Sequence, residues 1–402
     1  MDESSARPGR VWPVFLAFLR LGLTSFGGPV AHLGYFHTEF VVRRHWLGER
    51  AYADLVALCQ FLPGPASSQV GMALGLGRAG YAGALAAWAG FTLPSAIAMI
   101  LFALGLSRHG ELFSPSVLHG LKIAAVAVVA QAVWAMARGL CTDGPRIAIM
   151  AAAAIAALLA PFAWGQAAIL FIAGVLGLAC IRPPTAMPQA LALAAIPRRA
   201  GAAWLLLFPA LLIMLPVLHA VVSSPAVALV DAFYRAGSLV FGGGHVVLPL
   251  LQNEVVPPGW VDKDLFLAGY GAAQAVPGPL FTFAAFLGAA MQGMPSGWLG
   301  GMLCLAAIFT PSFLLVAGAL PFWETLRHAR HARAALAGIN AAVVGLLLAA
   351  LYDPIWTSAI LSPQDFALAL LAWLALARWK LPPWLVVVAC AAAAALLPHI
   401  SA

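Results

Sequence analysis

Two arginines occupy positions where an arginine is costly. Arg20 lies in the run Phe18-Leu19-Arg20-Leu21-Gly22, shortly before Phe26-Gly27-Gly28-Pro29. Arg235 lies in Phe233-Tyr234-Arg235-Ala236-Gly237, shortly before Phe241-Gly242-Gly243-Gly244. Both stretches are otherwise apolar, and a charge at membrane depth costs at least about 2.5–3.5 kcal/mol. The same residue beside the same glycine cluster, used twice, reads as two half-sites for something negative. A guanidinium keeps its charge and presents paired donors to an oxyanion. Glycine-rich breaks and helix N-termini add backbone N–H groups that bind the same ligands.

A second pair of breaks accompanies the first. Pro63-Gly64-Pro65 and Pro277-Gly278-Pro279 each follow a glutamine, Gln60 and Gln274, whose amide can donate to a ligand or seal free carbonyls. Ser67, Ser68, Gln69 and Thr282 are weaker candidates of the same kind. Lys122, in an apolar segment, is a third cationic contact or a side chain reaching for the interface. His32, His245, Glu39 and Glu254 are the candidates for carrying a proton, histidine because it titrates near neutrality. Each candidate has a plainer alternative. The arginines could snorkel or bond free carbonyls, the glycines could serve helix packing, the histidines could be hydrogen-bonded interface residues, and Glu39 and Glu254, near loops, could be solvated.

The elements that would position these residues follow from composition. The chain has 402 residues, 63% hydrophobic and 9% charged; soluble domains carry about 25% charged residues. An all-α polytopic membrane protein is expected. Spanning segments of about 20 apolar residues fall at 80–107, 117–138, 203–222, 297–322, 335–352 and 384–400. The stretch 147–181 reads as two helices broken near Pro161, and 363–377 as another. Residues 182–200, with three arginines and four prolines, read as a linker. The net charge of +7 is scattered in short clusters and marks topology, not nucleic acid. Five cysteines without a CxxC pair predict neither metal nor disulfide. The polar start, Met1–Arg10, lacks the apolar core of a signal peptide, so no processing is expected.

The motifs repeat in order. Phe26-Gly27-Gly28 and Glu39 match Phe241-Gly242-Gly243 and Glu254 at an offset of 215; Gln60 and Pro63–Pro65 match Gln274 and Pro277–Pro279 at 214; Pro94-Ser95 matches Pro311-Ser312 at 217. Three parts follow: an N-terminal repeat over 1–181, a linker with one connecting helix over 182–222, and a C-terminal repeat over 223–402. Arg327, Arg330 and Arg333 place 324–333 in a cytoplasmic loop, as the arginines do for the linker. Counting helices outward from the linker starts the second half on the opposite side from the first, so the repeats should be inverted, with broken or re-entrant hairpins. Broken helices in matched positions are the best sequence pointer to a transporter's binding site.

Arg20-Leu-Gly-Leu-Thr-Ser-Phe-Gly-Gly-Pro29 with Glu39, Arg43-Arg44, Trp46 and Gln60-Phe-Leu-Pro-Gly-Pro65 resembles the chromate ion transporter family. Phe241-Gly-Gly-Gly-His245 through Gln274-Ala-Val-Pro-Gly-Pro279 resembles its C-terminal domain, so the chain is similar to the long, two-domain type. The resemblance implies a multi-pass exporter of chromate in the bacterial inner (plasma) membrane, driven by the proton motive force and conferring chromate resistance. Its expected partners are chromate, with sulfate as competitor, protons, membrane lipid and a second copy in a homodimer. No cofactor and no nucleic acid are expected. Arg20 and Arg235 would then face one shared cavity with the glycine and proline backbone. Transport of sulfate or another tetrahedral oxyanion is the first alternative. A membrane-embedded enzyme acting on phosphorylated lipid is the second, but no nucleophile–base pair accompanies the arginines. No ATP-binding GxxxxGK[ST] motif is present.

Overall fold

The computed structural model describes residues 11–108, 114–159, 165–182, 196–293 and 295–396, and these contain helices and no strand. The first half comprises α1 (Val11–Thr24), α2 (Gly28–Phe36, continued by a π-helical His37–Arg43), α3 (Glu49–Phe61), α4 (Ala66–Arg108), α5 (Pro115–Leu140), α6 (Gly144–Leu159) and α7 (Gly165–Cys180). A single helix, α8 (Arg198–Val221), follows. Then come α9 (Pro225–Ser238), α10 (Val247–Val255), α11 (Lys263–Ala273), α12 (Phe283–Ala290), α13 (Gly297–Ala319), α14 (Trp323–His328) and α15 (Arg330–Ala350). A short α16 (Thr357–Ala359), α17 (Pro363–Ala377) and α18 (Pro383–Leu396) end the described chain.

Helix length sorts these elements. Five stretches, Ala66–Arg108, Pro115–Leu140, Arg198–Val221, Gly297–Leu326 and Arg330–Ala359, are long and apolar enough to cross a membrane. The chain is an all-α polytopic membrane protein. α1 and α9 have 14 residues each, a rise of about 21 Å, short of the about 30 Å hydrocarbon core. They are arms of hairpins. Phe18 on α1 packs its ring on Phe36 and Phe40, 5.4 and 4.8 Å between centroids, so the chain doubles back between them. α3 packs on α4 and α9 on α10. Tyr270 on α11 meets Phe283 on α12 at 5.6 Å. Each reversal uses a left-handed glycine, Gly27 (φ 103°), Gly64 (121°), Gly242 (75°) or Gly278 (99°), a conformation other residues resist. Prolines flank Gly64 and Gly278, and Pro29 follows Gly27 by two residues, ending one arm or starting the next; the Gly242 tip uses glycines alone.

The α4 stretch is two helices: Ala79 and Gly80 break it, so 66–78 completes a hairpin and the remainder spans. That matches the expected span from residue 80. Two corrections apply elsewhere. Residues 324–333 read as a basic loop, yet all but Ala329 lie in α14 and α15; the density of Arg and His hid a helix that is solvated at its end. In the linker, 183–195 lie outside the described residues, and α8 begins at Arg198, inside the stretch expected to be linker. The break near Pro161 also lies outside them, though α6 and α7 flank it as expected.

Close backbone approaches hold the arms to the spans. A Cβ on Gly22 of α1 would lie 2.6 Å from the Gly90 carbonyl of α4, and one on Gly237 of α9 would strike the Ile308 carbonyl of α13. Across the halves, α5 packs on α17 and α18, while α15 packs on α6 and α7.

Candidate functional site

The four hairpin tips meet in pairs, each pair made of one tip from either half. The Gly64 N–H donates to the Val240 carbonyl at 2.7 Å, and the Gly278 N–H donates to the Ser25 carbonyl at 2.9 Å. Gly64 and Gly278 are 214 positions apart, Ser25 and Val240 are 215, so the two bonds obey the offset of the motifs. Behind each glycine stands a serine of a proline-containing helix. A Cβ on Gly64 would lie 2.6 Å from Ser312 Oγ, and one on Gly278 would lie 2.6 Å from Ser95 Oγ. Only glycine fits either tip.

Each tip also starts an outgoing helical arm: α2, α4, and the 3-10 turns Gly244–Val246 and Leu280–Thr282 that lead into α10 and α12. No side chain caps the arms at Gly27, Gly243 or Pro279. The first N–H groups of a helix have no intrahelical partner, and the macrodipole concentrates positive charge there. Around the tips lie buried polar atoms with no partner among the described residues: Ser25 Oγ, Ser68 Oγ, Thr92 Oγ1, Ser312 Oγ, His32 Nε2, Gln69 Oε1 and Gln274 Nε2. Leaving such a group unpaired costs about 1–3 kcal/mol. Several such atoms lie together at the meeting point of four helix breaks, and unsatisfied buried groups are uncommon in folded proteins.

Gly27, Gly28, Pro29, Pro63, Gly64, Pro65, Gly242, Gly243, Gly244, Pro277, Gly278 and Pro279 form the tips or their first outgoing turn. Phe26 leans on Trp384 at 6.0 Å, and Phe241 is half-buried. Gln274 is half-buried, whereas Gln60 is exposed. His32 is buried, its Nδ1 3.4 Å from Ser67 Oγ. His245 Nδ1 lies 2.8 Å from the Tyr270 hydroxyl. Gln69 donates Nε2 to the Pro63 carbonyl at 2.7 Å, and Thr282 donates to the Pro279 carbonyl at 2.9 Å, so both brace tips.

The charged candidates are placed differently. Arg20 is exposed, on a face of α1 shared with exposed Trp12, Leu16 and Leu23. Arg235 donates Nε and Nη2 to the two carboxylate oxygens of Glu254, at 2.9 and 2.8 Å, and Nη1 lies 3.1 Å from Asp231. The structure therefore does not bring the two guanidinium groups to one centre. Lys122 donates to Asp264 at 3.0 Å. Glu39 is not solvated: it is buried, and Arg43 and Arg44 donate to it at 3.1 and 2.6 Å. Glu254 is not a free carboxylate either.

Sequence reasoning passed over Ser25, Thr92, Ser312, Asp231 and Asn340. The matched Pro94-Ser95 and Pro311-Ser312 pairs were a usable signal for the serines behind the tips. Asp231 stands one helical turn before Arg235, a readable ion-pair spacing. Asn340, whose buried Oδ1 lacks a partner, lies 3.4 Å from a Cβ built on Gly242, a contact no local pattern announces. Among the described residues, no group of three His, Cys, Asp or Glu could hold a metal ion.

Fold and site together define a polytopic membrane protein whose helical hairpins meet, tip to tip, across its two halves. The family model for chromate transporters matches residues 12–178 and again residues 227–395, and the chain belongs to that family. It is 29% identical over 350 residues to a chromate transport protein of Pseudomonas aeruginosa, covering 85% of this chain and 80% of that protein. It is 26% identical over 341 residues to a chromate transport protein of Cupriavidus metallidurans, covering 83% and 80%. No solved structure matches it.

Proposed function

We propose that this chain exports chromate from the cytoplasm across the inner (plasma) membrane by alternating access, coupled to the proton motive force, and so confers chromate resistance. The observation that carries the reading is the pair of cross-half tip contacts, Gly64 to Val240 and Gly278 to Ser25, ringed by unpartnered buried hydroxyls. Backbone N–H groups of the outgoing arms and the hydroxyls of Ser25, Ser68 and Ser312 offer a tetrahedral dianion several neutral donors. Gln274 Nε2 adds an amide donor. Neutral donors and helix dipoles suit a ligand that must also leave, since transport requires binding favourable enough to enter and weak enough to release. Arg20 and Arg235 act around this centre and not within it.

The two halves are read as inverted repeats, 1–181 and 223–402, with α8 crossing once between them and turning the second half over. Rocking one half's hairpins against the other's opens the tips to either side in turn. An inside-negative potential favours expulsion of a dianion, at about 2.3 kcal/mol per charge per 100 mV. The test is chromate flux into liposomes holding the purified protein, with sulfate and molybdate as competitors. Chromate should be carried, and Gly64→Ala and Gly278→Ala, which press a methyl on Ser312 and Ser95, should each abolish flux. Sulfate flux without chromate flux would move the reading to another oxyanion. Full flux in both glycine variants would remove the tips as the site.

A further inference from the structure

Away from the tips, one charged cluster has more acid than base. Asp231 and Arg235 lie one turn apart on α9, and Glu254 faces them from α10. Arg235 binds Glu254 through both carboxylate oxygens, at 2.9 and 2.8 Å, and meets Asp231 Oδ2 at 3.1 Å. Asp231 is 4% exposed. Two carboxylates against one guanidinium leave one negative charge in excess when all three ionise.

The neighbouring elements supply little to offset it. α13, packed along α9, carries no Asp, Glu, Lys or Arg, and its one titratable group is Cys304. α8 brings His219 within electrostatic reach of Asp231. Tyr234, next to the cluster on α9, donates its hydroxyl to the Phe208 carbonyl of α8. An uncompensated charge in apolar surroundings is expensive, and a proton shared by the two carboxylates removes it.

The first half has no counterpart. At the same offset Leu16 stands in place of Asp231, and Glu39, the match of Glu254, is held by Arg43 and Arg44. The excess there is positive and fixed. The carboxylate pair Asp231–Glu254 thus belongs to one half and is not repeated at the matched positions of the other.

We infer that Asp231 and Glu254, bridged by Arg235, form the site that carries the coupling proton. The inference rests on the reading of the chain as a proton-coupled oxyanion transporter and assigns the proton within it. The mechanical link is short. α9 ends at Ser238, two residues before Val240, and the Val240 carbonyl accepts the tip bond from Gly64. Protonation of one carboxylate removes one of the two negative partners of Arg235 and loosens α9 from α10, the two arms of that tip. Loss of the proton restores both ion pairs and closes the hairpin. Net proton movement in one direction is thus tied to opening and closing of one tip pair.

Asp231→Asn and Glu254→Gln proteins in liposomes test it with two readouts. The first is chromate exchange at equal pH on both sides, with ionophores clamping the gradient. The second is chromate accumulation driven by an imposed pH gradient. Exchange should persist in both variants while gradient-driven accumulation is lost. Proton release on adding chromate to the detergent-solubilised protein, followed with a pH dye, should be present in the wild type and absent in Asp231→Asn. Accumulation at the wild-type level in both variants overturns the assignment. So does loss of exchange along with accumulation in a variant that elutes and melts as wild type, because Asp231 would then belong to the substrate path. Wild-type protein that exchanges no chromate defeats the transport reading itself, a result distinct from either.

Discussion

Removing the hydroxyls of Ser312 and Ser25 breaks no hydrogen bond among the described residues, because neither has a partner there. Ser312→Ala should therefore leave the melting temperature unchanged or raised. Its chromate KM should rise about tenfold or more, since one hydrogen bond to a charged group is worth roughly 1.5–3 kcal/mol. A drop in melting temperature with unchanged KM would make the serine a packing residue. The two arginines, equivalent in sequence, should differ in the opposite sense. Arg235→Ala leaves Asp231 and Glu254 without their cation, a loss of about 3–5 kcal/mol where a buried pair is broken. Arg20→Ala, at an exposed position, should stay within about 0.5 kcal/mol. Thermal unfolding in detergent decides it: equal falls would mean that Arg20 has a partner of comparable weight. At this scale the tip residues were legible, because glycine and proline inside apolar runs are local signals. The fate of the charges was not. Whether a guanidinium meets a ligand or a carboxylate depends on which face of α9 turns to α10, and a motif does not encode that.

The hairpins show how elements shorter than a membrane's thickness become rigid. α1 lies on α4 through Gly22 and Gly90, and α9 lies on α13 through Gly237 and Ile308. In both contacts the obstacle to a side chain is a backbone carbonyl, which cannot swing aside. Gly237→Val should thus cost about 1–3 kcal/mol, the usual range for overpacking, and shift α9 together with its tip. Lower melting temperature and lower flux should appear together, and a variant with wild-type values for both would show that α9 has room to move. Spans such as α5 and α13 were readable from apolar length alone. The arms were not, since α2, α10 and α12 are shorter than any length criterion for crossing. What betrayed them was the paired glycine and proline breaks. Charge density assigned 324–333 to a loop, because a helix leaving the membrane changes its composition before it changes its backbone.

On the scale of the whole molecule, the halves are clasped and not merely apposed. α17 and α18 of the second half cover α5 of the first, and α6 and α7 of the first cover α15 of the second. The contacts are again backbone-close. A Cβ on Gly120 of α5 would lie 2.6 Å from the Cys390 carbonyl of α18, and one on Gly338 of α15 would strike the Ala173 carbonyl of α7. Each half's last helices therefore complete the other half's interior, and neither half encloses its own central helix. The repeated motifs announced two similar halves, but similarity of sequence is equally compatible with two independent bodies side by side. The exchange of outer helices, together with the tip contacts, makes one body of them. A chain cut within residues 183–195 tests this. Co-expressed, the two fragments should purify together and carry chromate, because the clasp needs no peptide bond across the linker. Expressed singly, each should be degraded or aggregate, with α5 or α15 stripped of its cover. A stable, helical N-terminal fragment obtained alone would mean that the clasp is dispensable, and that the tip contacts suffice to join the halves.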